Sequence, residues 1–173
     1  MPRLGTKQIC YCGVIKKLLQ AEAMKLAHNL MLVWGLTDYR FKLNRRRRSL
    51  GMCFIESKRI ELSTIYIQHN SADHVCQTLL HEIAHALTPH HAHDKVWLDA
   101  VKKIGGRAKI KCADANMPAG LWRASCPSCA KVFSRHRKPR TLDVFHCTIC
   151  GEEKGSLKFE RHPSAKTAAN DSH

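Results

Sequence analysis

A His-Glu-x-x-His motif at residues 81–85 is the part of this sequence best suited to metal-assisted hydrolysis. Four residues advance an α-helix by a little over one turn, so His81 and His85 would lie on one face of a helix. Two imidazoles at that spacing can bind one Zn²⁺, and Glu82 beside them can accept a proton from the attacking water. The motif therefore predicts a catalytic zinc centre with Glu82 as its general base. Two unrelated surface histidines beside a solvated glutamate are the alternative interpretation.

The residues around the motif favour a helix that presents these side chains to a cleft. Ser71 or Asp73 can cap its N-terminus, and Pro89 predicts its end near Thr88. Apolar residues recur at helical spacing on the opposite side of the segment, at Val75, Leu79, Ile83 and Leu87. This amphipathic pattern favours a zinc site over two unrelated histidines.

A catalytic zinc usually takes three protein ligands and keeps one position open, and the third ligand has three candidates. His91 has the spacing of an extended HExxHxxGxxH motif, but Thr88 replaces the glycine that would make the sharp turn. His93 precedes a second helix that is expected to start near Asp94, so it would be presented at the mouth of that helix. We favour His93 over His91, and His90 is the weakest candidate. Asp94 is expected to serve as a carboxylate at that helix N-terminus or to contact a ligand.

Two Cys-x-x-Cys pairs form a second candidate metal site, made of Cys126 with Cys129 and Cys147 with Cys150. Seventeen residues separate the pairs, which is within the range of zinc-binding knuckles. Four thiolates complete a tetrahedral shell and leave no open position, so this zinc should be structural. The matched second pair argues against a disulfide or a redox motif. The intervening residues predict a hairpin, with strands near 131–133 and 144–146.

The remaining cysteines favour a reducing compartment. The total of nine is odd, and no secretory signal precedes the other five, which are Cys10, Cys12, Cys53, Cys76 and Cys112. We therefore expect an intracellular protein of the cytoplasm or nucleoid, or of the nucleus in a eukaryote. The sequence has no run of eighteen apolar residues, so no membrane partner is expected. The expected cofactors are two zinc ions, one catalytic and one structural.

The charge of the chain predicts a polyanionic partner. The sequence has 29 lysine and arginine residues against 14 aspartate and glutamate residues, a formal net charge of +15. Residues 101–140 alone hold eleven of these cations and a single acidic residue, Asp114. Nucleic acid is favoured over a membrane surface or an acidic protein as the partner.

Two basic runs are the candidate nucleic-acid contacts. The first, expected at the hairpin tip of the cysteine module, contains Arg135, Arg137, Lys138 and Arg140, with Phe133 or Trp122 available for base stacking. The second is Arg45, Arg46, Arg47 and Arg48, in a predicted loop between strands. Solvated charged faces are the alternative for both runs, and a localisation signal is a further alternative for the second. No recognition-helix motif is visible, so binding to DNA, including single-stranded DNA, should not depend on sequence.

The hydrophobic pattern predicts an α+β fold. Besides the motif helix, it predicts helices at 14–33 and 94–104 and strands at 37–43, 50–55 and 60–67. The expected organisation is a small domain around the HExxH helix at 14–112, a four-cysteine zinc ribbon at 120–160 and a disordered tail at 161–173. An edge strand beside the metal helix could then bind extended peptide.

The sequence resembles the SprT-like (Spartan-type) zinc metallopeptidases. The resemblance covers residues 18–159 and rests on HEIAHAL at 81–87, HDKVW at 93–97, the basic region and the four-cysteine module. The family's His-Gly-x-x-aromatic segment, which carries its third histidine, corresponds here to His93–Trp97, with Asp94 where many members have glycine. The resemblance implies that the first domain, at 14–112, is a small zincin-like domain with peptidase activity, often directed at proteins attached to DNA.

These observations together predict a monomeric zinc endopeptidase that acts on DNA-associated or DNA-crosslinked proteins, as in DNA repair, and that DNA recruits or activates through the ribbon. The main alternative is a non-enzymatic DNA-binding adaptor whose HExxH zinc is structural or vestigial. A structural zinc would not need Glu82, which argues against the adaptor. A zinc hydrolase of nucleic acid or of small molecules ranks last, because the carboxylate-rich two-metal cluster of many nucleases is missing from the sequence.

Overall fold

The computed structural model describes residues 17–108, 115–141 and 145–162. The chain forms two compact units that divide between Met117 and Pro118. Three of the expectations above concern residues outside the described ranges: the cysteines at positions 10, 12 and 112, the strand residue Val144, and the tail from residue 163 onward. No helix in the described ranges is long and apolar enough to cross a membrane.

The first unit combines helices with a three-stranded sheet, so the predicted α+β class is confirmed. In chain order its elements are α1 (Gln20–Val33), β1 (Arg40–Asn44), β2 (Gly51–Phe54), β3 (Arg59–Ser63), α2 (Thr64–His69), α3 (Ala72–Leu87) and α4 (Lys95–Lys103). The strand order is β1-β3-β2, with β1 parallel and β2 antiparallel to the central β3. The α3 helix, which carries the HExxH motif, packs beside the edge strand β2.

One face of the sheet supplies the core of this unit. Phe41, Ile60 and Leu62 are buried on that face and belong to one hydrophobic cluster with residues of α1 and α3. Ile83 of α3 and Trp97 of α4 are fully buried in the same cluster. Burying a large apolar side chain contributes about 1.5–3 kcal/mol, so this cluster fixes α3 and α4 against the sheet.

Two predicted strands have different limits in the structure. The strand predicted at 60–67 ends at Ser63, because the Ser63 hydroxyl accepts a hydrogen bond from the backbone N–H of Tyr66 and caps α2. Burial of Tyr66 and Ile67 in the core outweighs the strand preference of this β-branched stretch. The strand predicted from residue 37 begins at Arg40, because the chain first turns through Gly35, whose φ is +73°.

The second unit is built from short strands around the cysteines: β4 (Trp122–Ser125), β5 (Val132–Arg135), β6 (His146–Cys147), α5 (Gly151–Lys154), β7 (Gly155–Ser156) and β8 (Glu160–Arg161). The strands form one sheet of order β5-β4-β8 and a second of order β6-β7. The predicted pairing of 131–133 with 144–146 is therefore wrong: β5 pairs with β4, and β6 pairs with β7. Each Cys-x-x-Cys turn closes its own hairpin, so residues 134–140 follow β5 and are not the tip of a hairpin between the cysteine pairs.

Candidate metal centres

The α3 helix carries the first candidate centre and has well-defined ends. The Ser71 hydroxyl accepts a hydrogen bond from the backbone N–H of His74. Ser71 is therefore the N-cap, and it is one of the two residues predicted for that role. Asp73, the other alternative, pairs instead with Arg107 at 2.9 Å. The helix ends at Leu87, and Thr88 leaves the helical conformation directly before Pro89.

Three half-buried histidine side chains converge beside the C-terminal half of this helix. The Nε2 atom of His93 lies 3.1 Å from Nε2 of His81 and 3.1 Å from Nε2 of His85. Zn–N bonds of 2.0–2.1 Å in a tetrahedral shell would separate two nitrogen donors by about 3.3 Å. The donor atoms therefore have the spacing of a three-histidine zinc site, and the structure brings His93, rather than His91 or His90, to the pair from the motif.

The loop between α3 and α4 brings His93 to the cluster through an uncommon backbone path. His90 and His93 have φ values of +70° and +59°, a left-handed conformation that costs a residue with a side chain on the order of 1 kcal/mol. Asp94 stabilises the end of this loop because its carboxylate accepts a hydrogen bond from the backbone N–H of Trp97, at 3.1 Å. Its other oxygen lies 2.6 Å from Nδ1 of His91, and this contact holds the pKa of Asp94 below its usual range. Asp94 is thus the N-cap of α4 and keeps His91 outside the cluster.

Trp97 packs against all three imidazoles from the core side. Its ring centroid lies 4.7 Å from that of His81, 5.2 Å from that of His85 and 4.5 Å from that of His93. The side chain is fully buried, so it has little freedom to move. A rigid indole behind the histidines fixes the direction of their rings toward a common point.

The surroundings of His81 and His85 favour the neutral, metal-binding form of these two imidazoles. Burial, with smaller contributions from the neighbouring His85 and His93, lowers the pKa of His81 to about 4. Burial also lowers the pKa of His85, although a hydrogen bond to the backbone of His91 acts in the opposite direction. Metal ligation requires deprotonated imidazole nitrogens, so little proton displacement is needed at neutral pH.

Glu82 lies under the edge strand β2 and is only 7% exposed. Burial raises the pKa of its carboxyl group to about 7, and a hydrogen bond from the backbone of Cys53 partly opposes this shift. A general base is most effective with a pKa near the working pH, so this environment suits proton transfer. Burial, with a smaller contribution from Glu82, raises the pKa of the Cys53 thiol to about 12, so Cys53 is a neutral wall of the site.

Gly51 and the backbone of Cys53 are parts of the site that the sequence analysis missed. A Cβ atom at Gly51 would lie 2.9 Å from both Cγ and Oε1 of Glu82, closer than normal packing allows. Only glycine therefore lets β2 approach α3 closely enough to cover this carboxylate. The signal was available in principle, because a glycine within a strand often marks such a close approach.

A cleft opens beside these residues and is lined by β2 and by the end of α3. Met52 of β2 lines it on one side, and His81, Glu82 and His85 line it on the other. The strand order places β2 at one edge of the sheet, with no strand paired to its outer side among the residues described. The unpaired backbone of such an edge is a site where an extended peptide can add as a further strand.

The four predicted cysteine ligands form the second centre. Their Sγ atoms all lie within 4.8 Å of one another, and those of Cys129 and Cys147 are 3.7 Å apart. Zn–S bonds of 2.3 Å in a tetrahedral shell would separate two sulfurs by about 3.8 Å, so the geometry fits a four-thiolate zinc site. A hydrogen bond from the backbone of Ile149 is the main cause that lowers the pKa of Cys147 to about 7, which favours its thiolate form.

The two cysteine turns share one backbone feature. The residue after the second cysteine is left-handed in each, with φ of +57° at Ala130 and +72° at Gly151. In the first turn, the backbone N–H of Ala130 donates to the carbonyl of Cys126 at 3.0 Å. The repeated conformation directs both pairs of thiols toward one point. A glycine takes this conformation in the second turn, and Ala130 adopts it in the first turn without one.

The predicted nucleic-acid contacts of the ribbon fall into two groups. The guanidinium carbon of Arg135 lies 3.9 Å from the ring centroid of Phe145 and 5.3 Å from that of Phe159, so this exposed side chain contacts the aromatic rings of the ribbon. The other three cations are exposed as well: Arg137, Lys138 and Arg140. The ammonium group of Lys138 lies 5.7 Å from the Trp122 ring centroid, which places an exposed cation beside an aromatic surface.

The second basic run occupies the loop between β1 and β2, as predicted. Arg45, Arg47 and Arg48 are exposed. Arg46 turns back onto the sheet, where a guanidinium nitrogen lies 3.9 Å from a carboxylate oxygen of Glu61. All four arginines of this run are therefore exposed, and Arg46 in addition lies near Glu61 of the sheet.

Known proteins resemble this chain at three levels. The model of the SprT-like family matches residues 21–117. Protein SprT of Shigella sonnei is 25% identical over 161 residues, covering 87% of this chain and 93% of that protein. Protein SprT of Escherichia coli O1:K1 / APEC is 26% identical over 141 residues, covering 75% and 86% respectively. A crystal structure of the metallopeptidase zymogen of Methanocaldococcus jannaschii jannalysin covers 47% of this chain and 79% of its own, with a TM-score of 0.43 and 8% identity.

Proposed function

Because this chain belongs to the SprT-like family, we propose that it is a zinc-dependent endopeptidase acting on DNA-associated or DNA-crosslinked proteins. The observation that carries the proposal is the placement of a buried glutamate, Glu82, beside a three-histidine cluster and under an open sheet edge. A purely structural zinc site would gain nothing from a buried carboxylate next to its ligands, and burying that carboxylate costs free energy.

His81, His85 and His93 would hold the zinc ion, which supplies Lewis acidity toward a water and a peptide carbonyl. Glu82 accepts the proton of the attacking water and then donates it to the departing amine nitrogen. The backbone of β2 binds the substrate chain as an added strand and aligns the scissile bond along the cleft. Trp97 keeps the three imidazole rings from rotating as substrate enters.

DNA would recruit or activate the enzyme by bringing protein substrates close to the cleft. The net charge of +15 and the exposed cations Arg137, Lys138 and Arg140 of the ribbon support contact with phosphates. Binding that depends on phosphates is largely independent of sequence, which suits an enzyme whose substrates are defined by their attachment to DNA. Proximity, rather than a deep specificity pocket, would then select the protein to be cut.

The test is proteolysis of a basic DNA-binding protein by the zinc-loaded chain, with and without single-stranded DNA. Glu82→Gln should abolish cleavage while zinc content and DNA binding stay unchanged, and the exposed Glu56→Gln variant serves as the matched control. Cleavage that requires both DNA and Glu82 is the expected result. DNA binding with two zinc ions per chain but without cleavage would instead identify a non-enzymatic adaptor, and cleavage retained by Glu82→Gln would disprove the mechanism.

A further inference from the structure

The face of the three-stranded sheet that points away from the core is basic and carries an aromatic ring. We propose that this outer sheet face, formed by Arg40, Lys42, Met52, Phe54, Arg59 and Glu61 together with loop 45–48, binds single-stranded nucleic acid. The proposal deepens the proposed function, because it gives the peptidase unit a nucleic-acid surface of its own beside the cleft. Binding at this face can be measured whether or not the chain cleaves protein.

Strand register places these side chains in two rows on one face. Arg40 pairs with Arg59 across β1 and β3, and Arg59 pairs with Phe54 across β3 and β2. Lys42 pairs with Glu61, and Glu61 pairs with Met52. Neighbouring residues in each strand, such as the buried Phe41, Ile60 and Leu62, point to the core instead.

Two guanidinium groups lie near the Phe54 ring. The guanidinium carbon of Arg59 is 4.5 Å from the ring centroid, and that of Arg46 is 5.7 Å from it. Glu61 holds both arginines in place, with contacts of 2.8 Å to Arg59 and 3.9 Å to Arg46. The result is a fixed platform of one ring and two planar cations on a partly exposed sheet face.

The charge of the face selects a polyanion. The face and its loop carry one acidic residue, Glu61, and seven cationic residues: Arg40, Lys42, Arg45, Arg46, Arg47, Arg48 and Arg59. Five of the seven, all except Arg46 and Arg59, form no ion pair with any residue in the described ranges, and all five are exposed. Unpaired cations next to an aromatic ring can contact phosphates while bases stack on the ring.

The aromatic platform favours single strands over duplexes and over acidic proteins. Bases in a duplex are stacked on one another, so their faces cannot reach Phe54, whereas unpaired bases can. An acidic peptide would match the cations but would leave the ring and the planar guanidinium surfaces without a stacking partner.

The outer sheet face adjoins the cleft through β2. Met52 belongs to the face and also lines the cleft, whereas Gly51 lies against Glu82 on the opposite side of the strand. A nucleic acid bound on this face would therefore pass beside the edge strand that receives the substrate. A protein attached to that nucleic acid would be held close to the catalytic groups.

The test uses the full chain, zinc-loaded, with Arg137, Lys138 and Arg140 replaced by Ala so that the ribbon contributes less. Binding of a labelled oligothymidylate is measured by fluorescence anisotropy at several salt concentrations. Arg40→Ala with Lys42→Ala should weaken binding about tenfold and reduce the log–log salt slope by about 1.4, because each lost phosphate contact on a single strand accounts for about 0.7. Lys102→Ala with Lys103→Ala removes two exposed charges from α4 of the same unit and should change neither quantity.

Phe54→Leu distinguishes stacking from charge. It should weaken binding about fivefold or more without changing the salt slope, because the lost contact is with a base rather than a phosphate. Circular dichroism and zinc content confirm that each variant is folded.

Equal losses from the α4 control pair would show diffuse electrostatic attraction and overturn the proposal. Equally strong competition by polyglutamate or by duplex DNA of matched length would also overturn it in favour of an acidic protein or a duplex. Because no step measures cleavage, failure here leaves the peptidase proposal intact, and loss of peptidase activity leaves this result intact.

Discussion

The histidine cluster and the cysteine cluster differ in how far apart their residues lie in the sequence and in the secondary structure that carries them. Two of the three histidines come from one helix, whereas His93 comes from a loop with left-handed residues and packs on Trp97. The cysteines come from the turns of two hairpins, and a left-handed residue follows the second cysteine in each turn. The histidine cluster borders a cleft, and the four thiols leave no open position. The histidine cluster thus depends on a loop and a buried indole as well as on its helix, whereas each pair of cysteines is set by one short local turn.

The largest expected effect comes from removing the histidine supplied by the loop. His93→Ala should reduce bound zinc from two ions to one per chain and lower proteolysis at least about a hundredfold, because two imidazoles hold the metal weakly. His91→Ala, which changes the neighbouring histidine outside the cluster, should retain both ions and most of the activity. Atomic absorption and a peptide-cleavage assay measure the two quantities. The reverse pattern would identify His91 as the ligand and contradict the geometry.

The cysteine cluster should be separable from catalysis. Cys147→Ser removes a fully buried thiol, so the second unit should lose its zinc and unfold, because structural zinc supplies most of the folding free energy of such modules. Cleavage of a short unattached peptide should persist, while stimulation by DNA should weaken, because only the outer sheet face would still bind nucleic acid. Ser128→Ala, in the neighbouring cysteine turn, is the control that keeps all four ligands. Loss of peptide cleavage in the Cys147 variant, with zinc still at the histidines, would show that the two centres are not separable.

A smaller effect is expected where β2 meets α3. Gly51→Ala should displace the Glu82 carboxylate and lower kcat about tenfold to a hundredfold, since a misplacement of about 1 Å can cost that much. Zinc content should not change. Cys53→Ala, on the same face of the same strand, keeps the backbone N–H that contacts Glu82 and should alter kcat much less. A normal kcat in Gly51→Ala would mean that the strand can shift without moving the carboxylate.

The sequence predicted those parts of the molecule that depend on local spacing. The members of a ligand pair are only three or four residues apart, as in His81 with His85 and Cys126 with Cys129. Residue spacing alone therefore indicates that they can share a metal. The preference for His93 over His91 rested on two observations: position 88 is a threonine where the extended motif has glycine, and a helix was expected to start near Asp94. The structure places His93 in the cluster, and its ligation of zinc stays a prediction.

The parts that were missed depend on contacts between distant segments. Gly51 and Glu82 are thirty-one positions apart, and only the packing of β2 on α3 shows why the glycine matters. The ribbon pairing was wrong because alternation of apolar residues does not specify a partner strand. The helix at Thr64–His69 was read as strand because burial of Tyr66 outweighs local preference.

The smallest expected effect tests how much the loop itself supports the histidine cluster. Asp94→Ala removes the N-cap of α4 and the contact with His91, so the first unit should melt a few degrees lower and the histidine cluster should bind zinc several-fold more weakly. Asp94→Asn keeps an N-cap acceptor of similar quality and should stay near the original in both measurements. Zinc bound by the cysteines should be the same in both variants, because that centre has no part in this loop. Competition with a coloured zinc chelator would show the difference, and equal zinc loss from Asp94→Asn and Asp94→Ala would assign the effect to the lost charge instead of the cap.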